Sequence, residues 1–198
     1  RQRQMCIRDR SKGEKESKTT YAERIKIFMK REGSYESSEY TKVSSIPQRC
    51  VALTDNDPPK DSALPQKGEH LKGENPFLYY KDQSAAMTNN CRVFVNSKTF
   101  EYDLAIESHH NAKIMLKILL SEISSKIRQD KIKEYIDMIN SDTVSDDAQM
   151  SYFILTQIES SEIGKGLFAQ LLSDAIDDEF DIPLYIIEAI DFMLGIEK

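Results

Sequence analysis

No apolar run in the 198-residue chain approaches the ~18 residues of a membrane-spanning helix, so the sequence excludes a helical membrane protein and predicts a soluble one. Its basic start is not followed by the apolar segment that a secretory signal needs. Cysteine is sparse. Cys6, Cys50 and Cys91 show neither the paired spacing of zinc ligands nor the density of a disulfide framework, which makes a reducing cytoplasm the expected setting. Positive charge is not in excess either: 27 basic against 33 acidic residues leave a formal charge of −6, which argues against a passive nucleic-acid coat. The two basic and eight acidic residues from Lys165 to Lys198 account for that whole imbalance. The remainder is about neutral and can still carry a basic groove.

A chain of this length supports one good-sized core with room for a small appendage. Arg1 to Arg10 reads as a non-native leader rather than as the beginning of a domain, and Ser11 to Thr20 is too polar to fold alone. Tyr21, Ile25 and Phe28 recur at helical spacing and predict a short amphipathic helix over Tyr21 to Arg31. A polar connection, Gly33 to Ser45, then leads to the stretch on which the rest depends.

That stretch is Arg49 to Lys60, Arg-Cys-Val-Ala-Leu-Thr-Asp-Asn-Asp-Pro-Pro-Lys. Cys50 to Thr54 is apolar without alternation, the pattern of a strand buried on both faces in an α/β sheet. Pro58 and Pro59 cannot continue a ladder, so the strand ends by about Asp55. Open α/β sheets bind ligands beyond the carboxyl ends of their strands, where Asp55 and Asp57 then lie. Two carboxylates one residue apart repel unless a cation neutralises them, which favours a hard, oxygen-liganded metal such as Mg2+ or Mn2+. The competing reading is ordinary turn chemistry, with the Asp and Asn side chains bonding their own backbone. The residues alone leave both open.

Pro58 to Asn75 is a long polar loop of the kind that is functional or disordered, and Pro76 to Tyr80 is an aromatic patch. Cys91 to Val95 is the second strand, separated from the first by enough chain for a crossover and so expected parallel to it. Thr99 is a candidate N-cap of a helix with Glu101 and Asp103 in its first turn. Such acids commonly complement the helix dipole, but a strand-to-helix junction on this sheet edge also faces the same crevice. His109 and His110 point in different directions on a helix and have no third ligand at matching spacing, so a surface helix-start role is expected. From Asn111 the chain reads as helical to its end. One apolar stripe runs Ile114, Leu116, Ile118, Leu119, Leu120, Ile123, Ile127, and Ile132, Tyr135, Ile136 and Ile139 follow. Lys113, Lys117, Lys126, Arg128, Lys131 and Lys133 form either a solvated face or a phosphate-tracking surface. Further helices are expected over Asp146 to Glu159, Leu167 to Asp177, and from Pro183 through Leu194. Gly164 and Gly166 flank Lys165 in what reads as a tight turn at a helix start, presenting either a surface lysine or a cation aimed at a phosphate.

Four segments, Leu53-Thr-Asp-Asn-Asp-Pro58, Thr99-Phe-Glu-Tyr-Asp-Leu-Ala105, Gly164-Lys-Gly-Leu-Phe-Ala169 and Pro183-Leu-Tyr-Ile186, together resemble the C-terminal Toprim domain of OLD-family (overcoming lysogenization defect) ATP-dependent endonucleases. The resemblance runs from about Tyr21 to Gly195. It implies an α/β fold with a Toprim, Rossmann-like sheet, incomplete at its N-terminal side and followed by a C-terminal helical segment. It divides the chain into the leader 1–10, a partial Toprim domain 11–145 and C-terminal helices 146–198 packed on the same domain. The implied activity is metal-dependent cleavage of DNA phosphodiesters with Mg2+ or Mn2+, a two-metal site in which Asp55 is the shared ligand. Asp57 and Glu101 complete the metal shells, and Lys165 offsets transition-state charge. Implied partners are DNA and the ATPase domain of the same parent chain; a homo-oligomer is compatible, a membrane is not. Phe100 replaces the family's usual leucine, and nothing upstream of Asp55 supplies the glutamate that opens Toprim domains. No Gly-x-x-x-x-Gly-Lys-Ser/Thr loop is present, so ATP would belong to a missing N-terminal half. The expectation is a piece of a longer enzyme, weak or inactive by itself. The alternative is a non-catalytic Toprim-like module that binds nucleic acid or a partner protein.

Overall fold

Cys-Val-Ala-Leu-Thr and Cys-Arg-Val-Phe-Val are β-branched or apolar runs bounded by chain that cannot extend a ladder, and each forms a five-residue strand, β1 (Cys50–Thr54) and β2 (Cys91–Val95). They pair in parallel, in a register running from Cys50 with Cys91 to Thr54 with Val95. The computed structural model describes residues 49–59, 61–75, 78, 81, 90–160 and 164–196, and among these the sheet has two strands. The leader, the helix expected over 21–31 and most of the aromatic patch lie outside the described residues.

Six helices follow in the described residues: α1 (Phe100–Glu107), α2 (His109–Glu122), α3 (Lys126–Asn140), α4 (Asp147–Ser160), α5 (Gly164–Ala175) and α6 (Leu184–Leu194). The architecture is therefore mixed α/β and mostly helical. Thr99 caps α1 by accepting the Tyr102 N–H, and Ser108 both ends α1 and caps α2 by accepting the Asn111 N–H. Pro183 precedes α6 and Gly195 closes it at φ 77°, a left-handed conformation that glycine adopts without a Cβ penalty.

Two expectations are corrected here. The apolar stripe does not continue through Ile127, because the backbone turns extended at Ile123 and a new helix starts after Ser125, leaving Ile127 83% exposed. Nor is β1 buried on both faces: Leu53 is 51% exposed, because α6 covers the sheet beside it, placing Phe192 against Phe94 and under the guanidinium groups of Arg49 and Arg92. An uninterrupted apolar run does not by itself say that both faces are covered.

The main core lies among α1 to α5. Leu104, Met115, Leu116, Leu119 and Ile132 pack with Met150, Ile154, Ile158, Phe168 and Leu172, so the residues on either side of position 145 share one interior. Each such side chain contributes roughly 1.5–3 kcal/mol of burial. Two polar clamps set the sheet and α6 against this body. The fully buried Asn111 amide donates to the Leu104 and Asp181 carbonyls and accepts the Asp181 N–H at 2.9 Å, fixing the segment that leads into α6. Arg49 donates to the Phe192 carbonyl at 2.8 Å, tying the other end of α6 to the sheet.

Candidate functional site

Parallel pairing places the residues just beyond β1 and β2 at the same sheet edge, so Asp55 meets Asn96. Asn96 is buried, and its N–H donates to the Thr54 carbonyl, extending the ladder by one residue. Its side chain works in both directions. The amide nitrogen donates to Asp55 Oδ1 at 2.6 Å while the amide oxygen accepts the Asn56 N–H at 3.0 Å. Asp55 Oδ1 also accepts the Phe100 N–H at 3.1 Å, which sets this carboxylate at the amino terminus of α1.

The loop after Asp55 is folded back on the strand ends. Asn56, buried, donates to the Leu71 and Ser97 carbonyls, and Asn75 donates to Thr54 Oγ1 and the Asp55 carbonyl. Asp57 is held at φ 48°, donates its N–H to Lys98 and accepts the Glu74 N–H. Aspartate tolerates that left-handed conformation better than most residues. Gly73 lies so close that a Cβ there would collide with the Asn56 side chain and carbonyl. Asn56 and Asp55 thus bond distant segments, Leu71 and Ser97 for the one and Asn96 and Phe100 for the other, rather than their own backbone as ordinary turn chemistry would have it.

On α1 the two first-turn acids have different roles. Asp103 is buried and accepts the Ser97 N–H and hydroxyl, each at 2.7 Å, and the Lys98 N–H, so it builds the β2–α1 junction. Burial pushes its carboxyl above the usual range, although those hydrogen bonds oppose the shift. Glu101 instead reaches the Lys165 ammonium at 3.4 Å, across 64 residues of sequence. Lys165 also meets Glu159 at 3.2 Å. Burial works to depress the ammonium, but the charges of Glu101 and Glu159 outweigh it and hold the group above its ordinary value. Gly164, at φ 63°, and Lys165 belong to the first turn of α5 rather than to a turn before it, so this helix starts three residues earlier than its apolar pattern suggests.

Asp55 and Asp57 after β1, Glu101 on α1 and Lys165 on α5 therefore come from three places in the chain, and the last three all act on Asp55. The Asp55 carboxyl is pushed up by burial, held down by its Asn96 hydrogen bond, pushed up further by the charges of Asp57 and Glu101, and lowered by that of Lys165. Tyr185, buried at the start of α6, has its hydroxyl raised by burial first and then by the charges of Asp103, Asp55 and Glu101, while the neighbouring Asn96 side chain lowers it.

Asn96 and Tyr185 are the residues that sequence reasoning missed. The signal for Asn96 was available: once β1 and β2 are taken as parallel and in register, the residue opposite Asp55 is Asn96. Tyr185 reaches the site through tertiary packing that local pattern does not encode. Asp103, read from the sequence as a first-turn acid facing the crevice, instead serves the β2–α1 junction.

The other candidates are accounted for elsewhere. His109 pairs with Asp147 at 2.8 Å and His110 with Asp177 at 2.9 Å, so they face separate carboxylates at the start of α2. Arg128 caps the end of α4 through Gln157 and Ser160, and Lys126 pairs with Asp130 along α3.

The donor set offered by Asp55, Asp57 and Glu101 is all carboxylate oxygen, which suits a hard divalent cation. Among the described residues, however, no three His, Cys, Asp or Glu side chains are arranged to hold a metal ion. The cause is visible in the bonding: Asp55 Oδ1 is directed at Asn96 and Phe100, and Glu101 at Lys165. Metal ligation would require these side chains to rotate. Among the described residues no helix is long and apolar enough to cross a membrane. Compared with known proteins, the chain matches no protein-family model, no curated protein and no solved structure.

Proposed function

We propose that this chain is the Toprim-like nuclease part of a longer ATPase-linked enzyme of the OLD family, a divalent-metal-dependent hydrolase of DNA phosphodiesters. The observation that carries the reading is the meeting of Lys165 with Glu101 beside Asp55, since no local feature of the sequence brings these residues together. Asp55, Asp57 and Glu101 would hold Mg2+ or Mn2+, and the metal pair would activate water and stabilise the leaving oxygen. The residues of the chain divide the remaining work. Asn96 and the Phe100 N–H orient Asp55, Asp103 fixes the junction that carries Glu101, and Lys165 supplies a cation to the charge that develops on the transferring phosphate.

A second reading, a non-catalytic Toprim-like module that binds nucleic acid or a partner protein, is favoured by the Glu101–Lys165 pairing, which gives Glu101 a cationic partner without a metal. One experiment separates them. The chain, joined to the upstream segment that the resemblance implies, is assayed for nicking of plasmid DNA with Mg2+ or Mn2+, alongside Asp55→Ala and Lys165→Ala. Nuclease function predicts metal-dependent nicking that Asp55→Ala abolishes. Lys165→Ala should lower kcat by roughly 10²-fold, the scale of losing one electrostatic contact to a transition state. DNA binding without nicking in any metal would establish the module instead.

A further inference from the structure

We propose that Cys50 and Cys91 form a reversible dithiol–disulfide pair, a redox modification site that clasps the amino-terminal end of the β1–β2 sheet. The two are direct register partners on neighbouring parallel strands, with Cys50 donating its N–H to the Asn90 carbonyl. Adjacent strands lie about 4.8 Å apart, inside the roughly 4.4–6.8 Å separation of α-carbons that a disulfide bridges. Because side chains alternate along a strand, both thiols leave the sheet on one face, opposite the Arg92 and Phe94 face that α6 covers through Phe192. Neither cysteine is in a disulfide, Cys50 is exposed and Cys91 is half-buried. That is the asymmetry of an attacking thiol backed by a resolving one. The neighbouring Cys91 side chain lowers the Cys50 thiol to about 6, against the burial that raises it, the direction that favours the nucleophilic thiolate.

The oxidant this chemistry takes is a small disulfide such as oxidised glutathione. The Cys50 thiolate attacks one glutathione sulfur, a protein–glutathione disulfide forms, the glutathione S–S bond breaks and one glutathione thiolate leaves. Cys91 then loses its proton and attacks the Cys50 sulfur, the mixed disulfide breaks and the second glutathione leaves as thiolate. Two protein thiols are oxidised and one glutathione disulfide is reduced to two thiols. The bond would tie the two strands at the end opposite Asp55 and Asn96, and an exposed sulfur keeps it open to reduction.

The test equilibrates the 198-residue chain in reduced and oxidised glutathione, quenches with acid, alkylates free thiols and maps the peptides by mass. Expected is a species lighter by two hydrogens in which the Cys50 and Cys91 peptides are joined, Cys6 remains alkylated and dithiothreitol restores both thiols. Cys91→Ser should stop at the first step and accumulate a glutathione adduct on Cys50, and Cys6→Ser should behave as wild type. Persistence of both thiols, a stable glutathione adduct on the wild-type chain, or a link from Cys6 to either cysteine would overturn the proposal. The wild-type result decides even if a serine variant fails to fold.

Discussion

Asn96→Ala removes a side chain that joins the end of β2 to the end of β1 and to the loop after it. Two losses dominate. The 2.6 Å bond to Asp55 is charge-assisted, a class that contributes about 1.5–3 kcal/mol. The Asn56 N–H, buried at 3.0 Å from the Asn96 oxygen, is left without that acceptor, which costs about 1–3 kcal/mol. The expected destabilisation is therefore about 3–5 kcal/mol, a large share of the ~5–15 kcal/mol that holds a typical domain together. Urea unfolding followed by circular dichroism reads this as a lower midpoint at unchanged slope. Asn96→Asp provides an internal check, since it keeps the acceptor for Asn56 but sets a second carboxylate against Asp55. Its deficit should shrink as pH falls, because a proton shared between the two carboxyls restores a donor. A loss below about 1 kcal/mol for Asn96→Ala, or a pH-independent deficit for Asn96→Asp, would show that Asn96 does not hold the sheet edge together.

Two other substitutions test neighbouring parts of the same construction. The Asp55 carboxyl is raised in the folded state, so folding takes up protons between its unfolded value near 3.9 and the folded one, and stability falls as pH rises through that window. Asp55→Asn should therefore flatten the decline seen by urea unfolding from pH 4 towards neutrality, without abolishing it, because Asp103 is shifted in the same direction; a steeper decline would contradict the assignment. Gly73→Ala places a methyl group against the Asn56 side chain and backbone, and should cost roughly 1–3 kcal/mol by thermal or urea unfolding. A neutral result would mean that the loop does not pack on Asn56 as described.

The strands, their parallel pairing and the cap of α1 were legible because each rests on local chemistry: apolar runs stopped by prolines, and a threonine three residues before the N–H it accepts. The break between α2 and α3 was not, because Ile123 and Ile127 continue a helical spacing that the Ser124–Ser125 pair interrupts only weakly. Met115 shows the same limit from the other side: it is fully buried, yet it stood outside the stripe chosen from aliphatic residues. At the candidate site, Asp55, Asp57, Glu101 and Lys165 could be named from their flanking motifs. What carries them was legible only in part: Asn96 follows from the register of the two strands and Asp103 from the first turn of α1, whereas the place of Tyr185 depends on which segments pack together.

That division between carriers and carried has a consequence for separating fold from chemistry. The contacts that hold the sheet edge come mainly from neutral amides, Asn56, Asn75 and Asn96, and from the buried Asp103, all bonded to backbone or to one another's segments. Asp55 enters this network through a single oxygen, and an asparagine at that position retains one side-chain oxygen to accept the Phe100 N–H. Glu101 and Lys165 are joined mainly to each other and to Glu159, a part-exposed arrangement of a kind that contributes little to stability. An amide at Asp55 or Glu101, or alanine at Lys165, therefore reaches the electrostatics of the site while leaving most of its scaffold in place, whereas alanine at Asn56, Asn96 or Asp103 removes the scaffold itself. A loss of DNA cleavage in the first group with urea midpoints no lower than wild type would assign those residues to chemistry. A matching loss of stability would return them to the fold.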